Sequence, residues 1–208
     1  MAAILESVAS TEGLSEDLAE LARKVRASVV AVRGTASGGG AGVVWDPRGI
    51  VVTNHHVAPG QRAEVDLGDG ERLPARVIGQ SRQLDLAVLK IDQEIAPGRL
   101  APATIGDSSR LQVGELVVAV GNPLGERNAV TLGLVSGHGQ VNWPDGSRDV
   151  IQVGITLRPG NSGGALADTR GQIVGIPHMV VGSGQALAIP SNTVRQFLKG
   201  VLGSMSEN

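Results

Sequence analysis

The sequence predicts an all-β protein in which two halves, each of about six short strands, form two barrels or two sandwiches. Apolar residues make up 41% of the 208 residues and charged residues 18%, which provides enough apolar material for a core. Only two tryptophans and one phenylalanine are aromatic, so that core must consist of Val, Leu, Ile and Ala. The 30 glycines among these residues indicate short strands joined by tight turns.

A helix is predicted near each end of the chain. At residues 14–26, Ser15 is the candidate N-cap, acidic residues occupy the first turn and basic residues the last. One face of this helix is apolar, and its members are Leu14, Leu18, Leu21, Ala22 and Val25. The helix at about residues 192–202 has a similar face, and its members are Val194, Phe197, Leu198 and Val201. The first helix is expected to pack against the outside of the strands that follow it.

Strands fill the chain between the two helices. In the first half they are predicted at residues 28–33, 41–45, 50–53, 63–67, 72–78 and 86–91. Turn residues at 46–49 and 68–70 predict two hairpins there. The stretch 96–102 contains proline and glycine and is expected to be a domain boundary. It separates a helical extension and first β-domain, at 1–27 and 28–100, from a second β-domain at 101–200.

In the second half, strands are predicted at residues 116–120, 129–136, 150–155, 165–167, 173–176 and 186–189. Residues 143–146, Trp-Pro-Asp-Gly, are expected to lie in a loop between the second and third of these strands. His138 stands between two glycines and is expected in a turn.

Composition disfavours several classes of function. The net charge is −2 with no basic stripe, which disfavours nucleic-acid binding. The absence of cysteine removes disulfides and thiolate metal sites, and no apolar run is long enough to span a bilayer. Residues 1–6 lack the basic and apolar regions of a secretory signal. This predicts a cytoplasmic protein if the chain is full length, and a periplasmic or cell-envelope protein if a signal was removed.

The stretch Gly160–Gly164 is the candidate reactive site. Ser162 lies between glycines in a predicted turn, where its Oγ and the nearby backbone N–H groups meet a substrate without a bulky side chain in the way. Glycine and serine also build ordinary turns, so this stretch alone does not establish a nucleophile. A reactive serine needs a base near its hydroxyl and a group that orients the base.

Two histidines and one aspartate are candidates for these two roles. His55 and His56 follow an apolar strand, and because neighbouring residues of an extended chain point to opposite sides, only one is expected to face a cleft. Asp85 stands between leucines at the start of a strand, where a carboxylate is costly unless it is hydrogen-bonded. A histidine Nδ1–H is one suitable partner, and a simple turn-capping role is the alternative.

Four short motifs occur in a fixed order: Thr-Asn-His-His-Val at 53–57, Asp-Leu-Ala-Val-Leu-Lys at 85–90, Gly-Asn-Pro-Leu-Gly at 121–125 and Gly-Asn-Ser-Gly-Gly at 160–164. Together they resemble the signature blocks of the HtrA (Deg) family of trypsin-like serine endopeptidases, and 133–136 and 188–190 match further family segments. The similarity covers about residues 27–200. It implies two six-stranded antiparallel β-barrels, with a catalytic triad in the cleft between them.

The resemblance implies a role for each matching residue. His56 corresponds to the base, while His55 falls at a variable position, which implies a structural or solvent-facing residue. Asp85 corresponds to the carboxylate that orients the base, and Ser162 to the nucleophile. The N–H groups of Gly160 and Ser162 correspond to the oxyanion hole. The family implies polypeptide substrates that are unfolded or damaged, and no metal or other cofactor.

The resemblance also places Leu157, Ile176 and His178 at the S1 pocket. An apolar lining favours small aliphatic P1 residues such as Val, Ala or Leu. His178 is unusual at its position, and some related glutamate-specific proteases place a histidine near this strand. Cleavage after acidic residues is therefore the alternative specificity.

Several features depart from the family pattern. PDZ modules usually follow the protease, whereas this sequence ends shortly after its last helix. Family members commonly trimerise through aromatic-rich N-terminal segments, but no aromatic residue precedes Trp45, so the sequence gives a homotrimer no support. The stretch Gly154–Pro159 lacks the aspartate that the family often has before the serine. This leaves open whether the oxyanion loop is ordered at rest.

Two other functions fit part of the pattern. The α/β-hydrolases share G-x-S-x-G, but they need a helix directly after the serine and the chain order Ser, acid, His. Here a strand-like segment follows Ser162, and the only later histidine is His178. The second alternative is a trypsin-like fold that acts as a chaperone or peptide-binding module without catalysis.

Overall fold

Two six-stranded antiparallel barrels account for the strands of the computed structural model, which describes residues 11–34, 39–68, 70–122, 129–144, 146–181 and 184–205. The strands of the first barrel are β1 (Val29–Gly34), β2 (Gly39–Asp46), β3 (Ile50–Thr53), β4 (Arg62–Asp66), β5 (Arg72–Ser81) and β6 (Leu86–Ile91). Those of the second are β7 (Leu116–Gly121), β8 (Ala129–Trp143), β9 (Gly146–Gly154), β10 (Ala165–Asp168), β11 (Ile173–Val181) and β12 (Gln185–Pro190). The helices are α1 (Thr11–Arg26) and α2 (Ser191–Met205).

Both barrels close in the same topological order. The first follows β1-β2-β3-β6-β5-β4 and closes where β4 pairs with β1. The second follows β7-β8-β9-β12-β11-β10 and closes where β10 pairs with β7. The predicted fold, two six-stranded antiparallel barrels with a helix at each end, is confirmed. Within the described residues, no helix has the length and apolarity to cross a membrane.

Three apolar clusters form the core. One fills the first barrel, one fills the second, and the largest lies between the barrels and under both helices. Strands β3 and β6 are buried on both faces because their side chains alternate between the first-barrel cluster and the inter-barrel cluster. Both are therefore rich in apolar residues, and the end of β3 and the start of β6 lie together at the cleft between the barrels.

Helix α1 begins earlier than predicted, and its apolar face is narrower. It starts at Thr11, so Ser15 lies inside the helix and is not its N-cap. Leu21 and Val25 are buried in the inter-barrel cluster, whereas Leu14 is 52% exposed. Burial of the Leu21 and Val25 side chains contributes roughly 1.5–3 kcal/mol each to docking of the helix. Leu14 lies on the part of the helix that does not pack against the inter-barrel cluster.

The predicted loop around Trp143 is the end of a long hairpin. Strand β8 continues to Trp143 and pairs with β9 as far as Gly146. His138 pairs with Ile151 in this hairpin, so it lies in a strand and not in a turn. The outer part of β8 has no fully buried residue, because its arm extends beyond the barrel. It consequently lacks the alternation of apolar and polar residues that would predict a strand.

Candidate active site

The candidate base and its carboxylate lie at one end of the first barrel. Strand β3 ends at Thr53 and β6 begins at Leu86, and the pairing of Thr53 with Ala87 brings these ends side by side. His56 lies just after β3, and Asp85 lies just before β6, at the same edge of the barrel. Residues that are 29 positions apart in sequence (85 − 56) therefore share one edge of the cleft.

Asp85 has an unusual backbone conformation. Among the described residues it is the only one besides glycines with a positive φ, which is +52°. Hydrogen bonds hold this conformation: the Asp85 carbonyl accepts from the His55 N–H at 3.1 Å and from the Asn54 Nδ2 at 2.9 Å, and the Asp85 N–H donates to the Arg82 carbonyl at 3.2 Å. The turn at Asp85 is thus fixed to the two residues that precede His56.

Both oxygens of the Asp85 carboxylate contact His56. The amide N–H of His56 donates to Oδ1 at 3.0 Å, and its ring Nδ1 lies 2.8 Å from Oδ2. Because an ionised carboxylate only accepts hydrogen bonds, Nδ1 carries the hydrogen and Nε2 keeps a free lone pair. The side chain of His56 is 49% exposed and that of Asp85 is 15% exposed. A substrate can therefore reach the base while the carboxylate stays covered.

The surroundings of Asp85 keep its carboxyl group ionised. Burial raises the pKa of Asp85 because the anion loses hydration, but hydrogen bonds from His178 and His56 lower it by more. The pKa of Asp85 consequently lies well below its usual range. An anion at this position can hold the tautomer of His56 and stabilise its imidazolium form.

Ser162 follows a tight turn that its neighbours favour. The Asn161 N–H donates to the Arg158 carbonyl at 3.0 Å, with Pro159 second in the turn and Gly160, whose φ is +101°, third. This matches a type II turn, which needs a positive φ at its third residue. Within the described part of the chain, no acceptor occupies the N–H groups of Gly160 and Ser162. Both donors are available to an oxyanion.

Contacts from both barrels hold the serine turn. The Ala41 N–H donates to the Ser162 carbonyl at 2.9 Å, and the Thr53 hydroxyl donates to the Ala41 carbonyl at 2.7 Å. On the other side, the Gly163 N–H donates to the Pro177 carbonyl at 3.1 Å. Ser162 is therefore attached to β2, which is hydrogen-bonded to the end of β3, and to β11 of its own barrel.

The residues predicted to line S1 occupy different surroundings. Leu157 is partly buried and packs against the core of the second barrel. Ile176 is 0% exposed and packs in the inter-barrel cluster. His178 is the extra residue of a β-bulge, and its Nδ1 lies 3.3 Å from Oδ2 of Asp85. The structure thus brings His178 into contact with the candidate triad.

Comparison with known proteins identifies the family. The family model for the trypsin-like peptidase domain matches residues 40–176. The chain belongs to the trypsin-like peptidases. Serine protease HTRA4 of Homo sapiens is 37% identical over 164 residues, which cover 76% of this chain and 34% of that protein. Serine protease Do-like HtrA of Lactobacillus helveticus is 40% identical over 171 residues, which cover 74% of this chain and 41% of that protein.

Solved structures of HtrA-type proteases share the fold of this trypsin-like peptidase. The protease AlgW with a tripeptide superimposes with a TM-score of 0.80 at 30% identity, covering 88% of this chain and 62% of the other. AlgW with a decapeptide superimposes with a TM-score of 0.78 at 26% identity, covering 89% of this chain and 67% of the other. The resemblance to HtrA proteases that the motifs indicated is confirmed. The chain spans only about a third to two fifths of the two curated relatives.

Two contacts at this trypsin-like site were not predicted from the sequence. One is the Asn54 amide on the carbonyl of Asp85, and the other is His178 on its carboxylate. Asn54 belongs to the Thr-Asn-His-His-Val motif, and membership of that motif could have indicated that it contributes to the site. A bulge cannot be deduced from a strand-like pattern, so nothing in the sequence indicated that His178 contacts Asp85. His55 contributes its main-chain N–H to the site, and its side chain is partly buried.

Proposed function

We propose that this chain is a serine endopeptidase in which Ser162, His56 and Asp85 act as a catalytic triad. The observation that carries the proposal is the 2.8 Å contact between Nδ1 of His56 and Oδ2 of Asp85, on a histidine whose ring is half exposed. This contact leaves Nε2 free to accept the proton of a serine hydroxyl. Attachment of the serine turn to β2, beside the end of β3, supports the assignment of Ser162.

The proposed reaction is acyl transfer. Oγ of Ser162 attacks the carbonyl carbon of the scissile peptide while Nε2 of His56 takes the hydroxyl proton. The N–H groups of Gly160 and Ser162 stabilise the tetrahedral oxyanion, and each donor contributes about 2.7–4 kcal/mol to the transition state. The C–N bond then breaks, and His56 gives its proton to the departing amine. Water hydrolyses the acyl ester with His56 again as the base, which returns the proton to Oγ.

The proposed substrates are unfolded or damaged polypeptides that are cleaved after small aliphatic residues. The apolar side chain of Leu157, three residues before Gly160, supports an apolar S1 pocket. His178 is engaged with Asp85 and has a side chain that is 5% exposed, which disfavours an ionic contact with an acidic P1 residue. Mass spectrometry of the fragments from an unfolded protein tests this specificity. A majority of cleavages after Asp or Glu would contradict it.

A fluorophosphonate probe tests the chemistry, because it forms a covalent bond only with a serine that an assembled triad activates. We expect one adduct, on Ser162, in the intact protein. Ser162→Ala should abolish the adduct and lower kcat on the order of 10⁶-fold with folding intact. Ser136→Ala, at an exposed serine of β8, is the matched control and should react as the wild type does. Wild-type turnover by Ser162→Ala would refute the proposal.

The non-catalytic alternative, a chaperone or peptide-binding module, makes a different prediction for the same probe. A folded wild-type protein that prevents aggregation of an unfolded client, but never labels, would favour it. The free N–H groups of Gly160 and Ser162 instead favour an oxyanion hole that is formed at rest.

A further inference from the structure

A second histidine contacts the candidate triad from the opposite barrel. Nδ1 of His178, on β11, lies 3.3 Å from Oδ2 of Asp85, the same oxygen that Nδ1 of His56 contacts at 2.8 Å. Asp85 belongs to the first barrel and His178 to the second. The carboxylate therefore lies between two imidazole rings, one exposed to the cleft and the other buried.

The bulge in β11 explains why His178 points at Asp85. In the pairing with β12, Pro177 is opposite Ala188 and Met179 is opposite Leu187, so His178 has no partner of its own in the register. A bulged residue is free of the regular alternation, and its side chain can be redirected. The side chain of His178 is 5% exposed, whereas Met179 is 40% exposed.

The hairpin of β8 and β9 supports the ring of His178 from the side. The ring centroid of Trp143 lies 6.1 Å from that of His178, at an interplanar angle of 51°. The guanidinium carbon of Arg148 lies 4.8 Å from the centroid of the Trp143 ring, which is the distance of a cation–π contact. The ring of His178 is thus held between this hairpin and Asp85.

A cavity lies next to His178 and apart from the cleft. Its volume is about 720 Å³, and His178, Arg148, Asp149, Ile189 and Phe197 are among the residues that line it. The lining includes none of the three triad residues. His178 thus borders this cavity and also contacts Asp85 through Nδ1, and the carboxylate of Asp85 fixes the tautomer of the His178 ring. Because that carboxylate only accepts hydrogen bonds, Nδ1 of His178 carries the hydrogen.

We propose that His178 is a positioning residue of the catalytic site, which donates its Nδ1–H to Asp85 and fixes the carboxylate in the orientation that His56 requires. This inference rests on the proposed function of the triad. Both hydrogen bonds from His56 come from one residue of the first barrel, whereas His178 adds a donor from the second barrel and so restrains the carboxylate torsion from another direction. The hydrogen bond also spans the two barrels, so the orientation of Asp85 depends on their docking.

Two substitutions of His178 test the proposal. His178→Leu removes the donor and should lower kcat about 10- to 100-fold, the loss expected for one hydrogen bond to a charged group, with KM within about twofold of the wild type. His178→Asn places an amide N–H close to the position of Nδ1 and should restore kcat to within about threefold. His138→Leu, at an exposed histidine of β8, is the matched control and should leave both constants unchanged.

The possible outcomes separate the roles of His178. A changed KM and P1 preference at constant kcat would overturn the proposal in favour of a substrate-binding role. An equal loss of kcat in His178→Leu and His178→Asn, with a parallel loss of thermal stability, would overturn it in favour of a structural role. Wild-type constants in both variants would also overturn it. Fluorophosphonate labelling of the wild type, measured first, tests the triad itself and so separates failure of that assignment from failure of this one.

A spectroscopic measurement tests the hydrogen bond without activity. The measurement is proton NMR of Ser162→Ala protein labelled with ¹⁵N. Hydrogen-bonded Nδ1–H protons of histidine resonate downfield of the backbone amide protons. We expect two such protons on rings that contact Asp85, and only one when His178→Asn is added. A single resonance that is unchanged by His178→Asn would contradict the proposal.

Discussion

Gly163 lies directly against Thr53, and a Cβ atom on Gly163 would overlap the Thr53 hydroxyl oxygen and the Ala41 carbonyl oxygen. Its φ of +79° also belongs to the region that favours glycine. The chain that carries Ser162 can therefore approach the strand that leads to His56 only because a glycine follows the serine. Position 163 determines how closely the two barrels meet at the site.

Gly163→Ala should accordingly impair both stability and activity. Strain at positive φ and the overlap with backbone atoms should lower the free energy of unfolding by about 2–4 kcal/mol, and kcat should fall because the serine turn moves away from β3. Urea denaturation and peptide hydrolysis measure the two effects. Gly139→Ala is the control, since a Cβ atom at that position would have nothing within 4 Å, and it should change stability by less than about 0.5 kcal/mol. Equal behaviour of the two variants would contradict this account of the contact.

Asp85→Asn should remove most of the activity while the fold is retained. The side chain of asparagine tolerates the positive φ at this position, so the turn before β6 should survive. The amide cannot hold His56 in the required tautomer, and kcat should fall about 10⁴-fold. Asp92→Asn, at the other end of β6, should leave kcat unchanged. Comparable activity of the two variants would exclude Asp85 as the orienting carboxylate.

The strands that the sequence predicts well are those with a buried face. The predicted bounds of β3 and β6 agree with the structure because both strands are mostly apolar and polar residues mark their ends, Thr53 within β3 and Asp92 directly after β6. The outer arm of β8 has neither property. This arm contains glycines and polar residues, and it is held as a strand by backbone pairing with β9. That pairing depends on a partner strand and not on local composition.

The candidate site shows the same division. The motifs around His56 and Ser162 are local and indicated those residues directly. The contact of His178 with Asp85 joins residues 93 positions apart and depends on one extra residue in β11. Such a contact depends on the bulge in β11 and on the docking of the two barrels, so a strand-like sequence pattern could not reveal that His178 reaches Asp85.

Asp168→Ala should destabilise the second barrel. Oδ1 of this buried aspartate accepts the N–H groups of Arg170 and Gln172, each at 2.9 Å, which closes the turn between β10 and β11. Loss of both acceptor bonds leaves two backbone donors without that partner, and the free energy of unfolding should fall by about 2–3 kcal/mol. Arg170→Ala removes the ion pair and two hydrogen bonds to Oδ2 but leaves both turn N–H groups bonded to Oδ1. Water can replace an arginine side chain that is 63% exposed, so this loss of stability should be smaller than that of Asp168→Ala. Chemical denaturation compares the two, and an equal loss would show that the ion pair, not the turn, is the stabilising interaction.

The carboxylate of Asp107 predicts a specific dependence of stability on pH. It accepts hydrogen bonds from the hydroxyl of Ser109 at 2.6 Å, from Nδ2 of Asn192 at 2.7 Å and from the N–H of Ser109 at 3.0 Å. These bonds lower the pKa of Asp107 from its ordinary value of 3.8 to about 2. Because the folded protein binds this proton less readily than the unfolded chain, ionised Asp107 stabilises the fold above pH 3.8. That contribution should be lost as the pH falls toward 2.

Comparison with Asp107→Asn isolates this effect, since all other groups titrate in both proteins. Above about pH 5 the wild type should be the more stable by a constant difference, because its carboxylate is ionised in both states. Between about pH 4 and pH 2 the difference should shrink, as the unfolded chain takes up a proton that folded Asp107 does not yet bind. Urea midpoints at pH 6, 4, 3 and 2.5 measure it, at low salt because Asp107 is exposed. A difference as large at pH 2.5 as at pH 6 would mean that the hydrogen bonds from Ser109 and Asn192 do not depend on the charge of Asp107.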